Sequence, residues 1–134
     1  MAPTFAAIGL TVADMGKSLA FYRRLGIGFP AGADQEPHVE AELAGGLRLL
    51  VDTHETMRSF DPSFTPHPGG TLAFRCADPA EVDRTHAELV GAGHRSHLAP
   101  WDAPWGQRYA VVLDPDGTFI DLFAPLPGGN REPG

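Results

Sequence analysis

The chain has 134 residues, 43% of them hydrophobic, which suits one core of ordinary size and leaves each half short for independent stability. Seventeen acidic against ten basic side chains give a formal net charge of −7; this disfavours a phosphate-backbone ligand such as nucleic acid and favours cationic ones. Cys76 is the single cysteine and excludes an intrachain disulfide framework, no apolar run approaches a membrane span, and the Met-Ala-Pro-Thr start lacks the regions of a secretory signal. A soluble, cytoplasmic protein without a membrane partner is expected.

Residues 5–12 alternate as a half-buried strand, and Asp14 is placed to cap a helix whose Met15, Leu19, Tyr22 and Leu25 share one stripe. Gly26 ends it. A meander is expected next, with strands at residues 29–33, 38–43 and 47–51 and a Gly45-Gly46 turn. Residues 60–70 are too rich in proline and glycine for a regular element, so residues 54–70 read as a linker. The second half starts with a strand at residues 71–76 and a helix capped by Asp78, with Pro79 in its first turn and Glu81 at capping-box spacing. Val82, His86, Leu89 and Val90 are expected to form its buried stripe. Strands at residues 94–98, 107–113 and 118–123 follow, the last two joined by Asp114-Pro115-Asp116-Gly117, and a flexible tail is expected over residues 125–134.

The two halves repeat. Ala7 to Asp14 fall on Thr71 to Asp78, 64 positions later, with apolar Ile8, Leu10 and Val12 matching Leu72, Phe74 and Cys76 on one face. This alternation makes Cys76 a small core residue and not a nucleophile. The expected fold class is α+β: a single domain of two βαβββ modules, about residues 5–53 and 71–124, each with its helix on one face of a curved mixed sheet.

Leu19-Ala20-Phe21-Tyr22-Arg23-Arg24-Leu25-Gly26-Ile27-Gly28 and Asp114-Pro115-Asp116-Gly117-Thr118-Phe119-Ile120-Asp121-Leu122 resemble the two signature segments of the vicinal oxygen chelate superfamily, which includes glyoxalase I, extradiol dioxygenases and bleomycin resistance proteins. The pattern is most similar to the bleomycin-resistance type. The resemblance implies a cleft and a homodimer, intertwined so that both chains line the cleft. It also implies four cavity-facing positions that hold a metal in the enzymes, falling here on Ala7, Leu50, Thr71 and Asp121. Only Asp121 is a ligand-type residue, and one carboxylate cannot hold a divalent ion. No metal and no cofactor are therefore expected; a displaced site would have to draw on His38, Glu40, His54 or His67. The remaining histidines lack the spacing of a metal-binding pair and read as spectators.

Small inward residues leave room for a ligand: Ala7, Gly9 and Thr11 in one module, Thr71 and Ala73 beside Arg75 in the other. The expected borders are Arg48, Leu50 and Asp52 from the fourth strand and Phe119, Asp121 and Phe123 from the last. Trp101 and Trp105 stand beside prolines in an expected loop and offer stacking surfaces for a planar ligand; Trp105 suits a latch over the sheet edge equally well. Phe60 and Phe64 are expected to cover the cleft or a subunit interface. The leading reading is a metal-free protein that sequesters a bulky, partly aromatic compound, an antibiotic above all, with Asp52, Asp121 and Glu40 meeting its polar or cationic groups, His38 beside them, and Thr71 offering a hydroxyl. The alternative is a lyase, isomerase or dioxygenase-type enzyme in which Asp121 is a general base and Arg48, Arg75 or Arg108 stabilises negative charge. A purely structural domain would fill the cleft with side chains.

Overall fold

The computed structural model describes residues 2–128. The chain divides at Gly69/Gly70 into two compact units. The first contains β1 (Ala7–Val12), α1 (Met15–Arg24), β2 (His38–Glu42), β3 (Arg48–Thr53) and α2 (His54–Phe60). Its sheet has the order β1-β3-β2, with β1 parallel and β2 antiparallel to β3. Asp14 starts α1 by accepting the Lys17 amide at 3.0 Å, and the helix buries Met15, Ser18, Leu19, Phe21 and Tyr22. Phe21 and Tyr22 meet edge to face, with centroids 5.0 Å apart. Complete burial of Leu19 and Phe21 (each 0% exposed) stabilises the unit by roughly 1.5–3 kcal/mol per side chain.

Two expectations fail in this unit. Residues 29–33 do not form a strand, so the first sheet has three strands and the module is βαββ in place of βαβββ. Gly32, at φ 79°, turns the chain into a short 3-10 segment over Ala33–Gln35, a backbone conformation that the Pro-Ala-Gly run favours over extension. The linker, in turn, begins with a helix. Thr53 caps α2 by accepting the Thr56 amide at 3.1 Å, and only residues 61–70 lack helix and strand.

The second unit has the expected βαβββ order: β4 (Thr71–Arg75), α3 (Pro79–Gly91), β5 (Ser96–Ala103), β6 (Gln107–Leu113) and β7 (Phe119–Pro125). Its sheet runs β4-β7-β6-β5, with β4 parallel to β7 and the other pairs antiparallel. Asp78 accepts the Glu81 amide at 2.8 Å, and Glu81 reaches back to the Ala77 amide at 2.6 Å, one residue before the cap. Val82 and Leu89 are buried, His86 is half-buried, and Val90 is exposed instead of lying on the buried stripe. Strand β5 runs to Ala103, past its expected end, by absorbing irregularities between Ser96 and Leu98 and between Leu98 and Trp101. The tail is also ordered at its start, because β7 includes Pro125 and the Leu126 amide donates to the Gly106 carbonyl. The rest of the expected flexible tail, residues 129–134, lies outside the described residues.

The repeat is exact in structure at the strand–cap–helix junctions. Asp14 and Asp78 are both N-caps, Met15 and Pro79 both begin helices, and Ala7 pairs with Arg48 as Thr71 pairs with Phe119. Leu50 and Asp121 therefore occupy equivalent positions, opposite Gly9 and Ala73. Cys76 is buried, and loss of solvation pushes its thiol up to about 11, consistent with a core residue. No helix among the described residues is long and apolar enough to cross a membrane.

Candidate functional site

A period-two strand must offer one face to its helix and one away from it. In the second unit Ala110, Val112, Ile120 and Leu122 are fully buried on the side of α3. The opposite face carries Thr71, Ala73 and Arg75 from β4, Phe119, Asp121 and Phe123 from β7, Gln107, Tyr109 and Val111 from β6, and Trp101 from β5, set side by side by the pairings Tyr109 with Phe123 and Trp101 with Tyr109. Its aromatic rings touch. Trp101 and Trp105 meet edge to face at 5.7 Å, and Trp105 meets Tyr109 at 5.3 Å, the arrangement that ring quadrupoles favour. His97 lies 4.5 Å from Phe119 and extends the surface along β5. The tryptophans remain 38% and 42% exposed and Phe119 41%, whereas Phe123 is buried at 6%.

One half-buried carboxylate sits among these rings. Asp121 Oδ2 accepts the Tyr109 hydroxyl at 2.6 Å. Burial, reinforced by this bond, raises the pKa of Tyr109, so the phenol stays a donor and holds the carboxylate in place. Trp105 is fixed by its indole N–H, which donates to Gln107 Oε1 at 2.9 Å.

The first unit's outward face is polar. Across its three strands it reads Ala7, Arg48 and Glu42 in one row, Gly9, Leu50 and Glu40 in the next, and Thr11, Asp52 and His38 in the third. A ladder of side chains crosses β2 and β3: Asp52 Oδ1 lies 2.6 Å from His38 Nδ1, His38 Nε2 lies 2.8 Å from Glu40 Oε2, and Arg48 Nε donates to Glu40 Oε1 at 2.8 Å. Both imidazole nitrogens face carboxylates, an arrangement in which the imidazolium form donates to both. Glu40 and Asp52 accordingly raise its pKa, and His38 and Arg48 lower that of Glu40. A Cβ added to Gly9 would meet nothing within 4 Å, so the face has room above its centre.

The residues expected from sequence divide between these faces. Ala7, Gly9, His38, Glu40, Leu50 and Asp52 share the first; Thr71, Ala73, Trp101, Phe119, Asp121 and Phe123 share the second, with Trp105 against its ring cluster. Trp101 stands on β5 and not in a loop, because that strand continues through the irregularities; Trp105 alone occupies the turn. Phe60 ends α2 and is 68% exposed. Phe64 packs 5.7 Å from His54 and 6.3 Å from His67 in the first unit. Arg108 cannot serve the open face, because it lies on the helix side and donates to Asp83 and Asp102. Tyr109, Gln107 and His97 are additions that sequence reasoning missed; alternation along β6 from Val111 was the signal for the first two.

The four positions that would hold a metal do not fit one. Ala7, Leu50 and Thr71 lack suitable donors, and among the described residues no group of three histidine, cysteine, aspartate or glutamate side chains could hold a metal ion.

Known proteins bear on this geometry. A glyoxalase-related enzyme from Fulvimarina pelagi is similar over 99% of both chains at 22% identity, with a TM-score of 0.77. A glyoxalase/bleomycin resistance protein/dioxygenase from Nocardioides is similar at 24% identity over 100% of this chain and 91% of its own, with a TM-score of 0.72. A lactoylglutathione lyase from Agrobacterium tumefaciens reaches 20% identity over 91% and 93% of the chains, with a TM-score of 0.62. Likenesses this distant carry the fold and not the activity. No curated protein matches in sequence. The family model of the Glyoxalase/Bleomycin resistance protein/Dioxygenase superfamily matches residues 4–122, and the chain belongs to that superfamily.

Proposed function

We propose that the protein binds and sequesters a bulky, partly aromatic small molecule, an antibiotic being the leading candidate, without changing it chemically. One observation carries this reading: the second unit's outward face holds touching, part-exposed aromatic rings (Trp101, Trp105 and Tyr109) around a single oriented carboxylate, Asp121. Stacking supplies affinity, at about 0.5–1.5 kcal/mol per good ring pair beyond burial, while Asp121 meets a polar or cationic group. In the first unit, Gly9 and Ala7 leave space beside Leu50, and the Asp52–His38–Glu40 ladder offers a polar surface. Protection by sequestration is stoichiometric, and the protein acts as a homodimer.

The enzymatic alternative has its own observation. Tyr109 and Asp121 form a donor–carboxylate pair at 2.6 Å, suited to proton transfer if Asp121 works as a base, and one similar structure is a lactoylglutathione lyase. Titration with DNA-damaging and aromatic natural products, followed by tryptophan fluorescence and mass analysis of the recovered compound, separates the two. A ligand recovered unchanged supports sequestration; a modified product sinks it. Sedimentation equilibrium of the free protein tests the dimer, and a monomer at all concentrations would refute it.

A further inference from the structure

Gln107 opens β6 on the same face as Tyr109 and Val111, and it is fully buried at 0% exposure. Its backbone position is held by pairing with Ala103 on one side and Pro125 on the other. The Trp105 indole N–H donates to its Oε1 at 2.9 Å, which fixes the amide: the oxygen is committed to the tryptophan and the NH2 group points to whatever else is there. Among the described residues Nε2 finds no acceptor. An orphaned buried donor carries a desolvation cost that an arriving acceptor recovers.

The residue bonded to this amide lies outside the strands. Trp105 stands in the turn between β5 and β6, followed by Gly106 at φ 92°, and its ring is 42% exposed. Rotation of that indole breaks its bond to Gln107 Oε1 and disturbs no strand pairing. The amide can only donate from this nitrogen, so it selects an acceptor. A carboxylate is disfavoured by Asp121 on the same face and by the net charge of −7. Neutral oxygen acceptors remain, of which a carbonyl is the strongest.

We propose that Gln107 is the polar recognition group of the aromatic face and that the ligand is a planar compound bearing a neutral carbonyl oxygen, as in an aryl ketone, amide or lactam. This rests on the reading of that face as the ligand platform. Trp105 stacks on the ring, and Gln107 Nε2 donates to the carbonyl beside it.

The test uses two planar probes of one shape, 2-acetylnaphthalene and 2-isopropenylnaphthalene, of which only the first carries an acceptor. The wild-type protein should bind the ketone about five- to tenfold more tightly by isothermal titration, the contribution of one neutral hydrogen bond. Gln107→Met should bind both equally. In the wild type the Gln107 side-chain NH2 resonances should move with the ketone alone, a readout that needs no variant to fold. Equal binding of both probes with unmoved NH2 signals overturns the Gln107 assignment while leaving the platform intact, as does discrimination that survives in Gln107→Met. Failure of both probes to bind overturns the platform reading and this one with it.

Discussion

Two sheets built on one register carry opposite chemistry on their outward faces. Where the first places Asp52 and His38 in a row, the second places Phe123 and Tyr109; where the first has Leu50 beside Glu40, the second has Asp121 beside Val111. Their helix-facing sides do not diverge in this way: Leu49 and Val51 correspond to Ile120 and Leu122, all buried. Burial against a helix admits only apolar side chains of similar volume. The outward positions are released from that constraint, and there the duplicated unit has become a charged ladder in one copy and an aromatic platform in the other.

The largest effects should come from the shared side. Leu49→Ala and Leu122→Ala empty fully packed sites, and each should cost about 2–5 kcal/mol in urea unfolding; a loss under about 1 kcal/mol at either position would break the equivalence of the two cores. The faces should separate next. Trp101→Ala and Trp105→Ala should weaken ligand binding roughly tenfold or more each, whereas Arg48→Ala on the other face should leave stacking intact, as fluorescence titration would show. Tyr109→Phe removes the hydroxyl from a half-buried carboxylate and should lower stability by about 1–2 kcal/mol, read as a fall in melting temperature.

The smallest effect belongs to the charged ladder and depends on pH. His38 has a raised pKa in the folded state, so its contribution is fully present below the ordinary histidine value of about 6.5 and is lost as pH rises through the raised value. Glu40 is shifted the other way; its contribution is present above the ordinary glutamate range and is lost as pH falls through the lowered value. The ladder is therefore strongest between the two, and the difference in melting temperature between wild type and His38→Gln should shrink as pH rises past neutrality. A difference that stays constant would show that His38 is not held as an imidazolium. Exposure of the ladder keeps the effect small.

Much of this contrast was legible in the sequence. The offset from Ala7 to Thr71, with Asp14 and Asp78 as caps, gave the paired strands and helices, because alternation and capping are local signals. The correspondence of Leu50 with Asp121, 71 positions apart, lay outside that 64-residue frame and came from the resemblance to the superfamily. What could not be read locally was wrong or missing. The Pro-Ala-Gly-Ala stretch alternates like a strand yet turns at Gly32; helix α2 rests on a single threonine cap; β5 carries Trp101 only because it tolerates irregular pairing. The ladder from Asp52 to Arg48 joins residues on two strands, and Gln107 is bonded to Trp105 through Oε1 with its Nε2 left without a partner among the described residues. The first depends on register between strands, the second on how the turn at 104–106 sets Trp105.

The central claim is that the aromatic face of the second unit holds a planar small molecule without transforming it. The most direct measurement is calorimetric titration of wild type and Trp105→Ala with compounds from an aromatic natural-product panel, followed by mass analysis of what is recovered. The account predicts saturable binding by at least one compound, its loss in Trp105→Ala, and recovery of that compound unchanged. Binding that is indifferent to Trp105, or turnover of the bound compound, would contradict it.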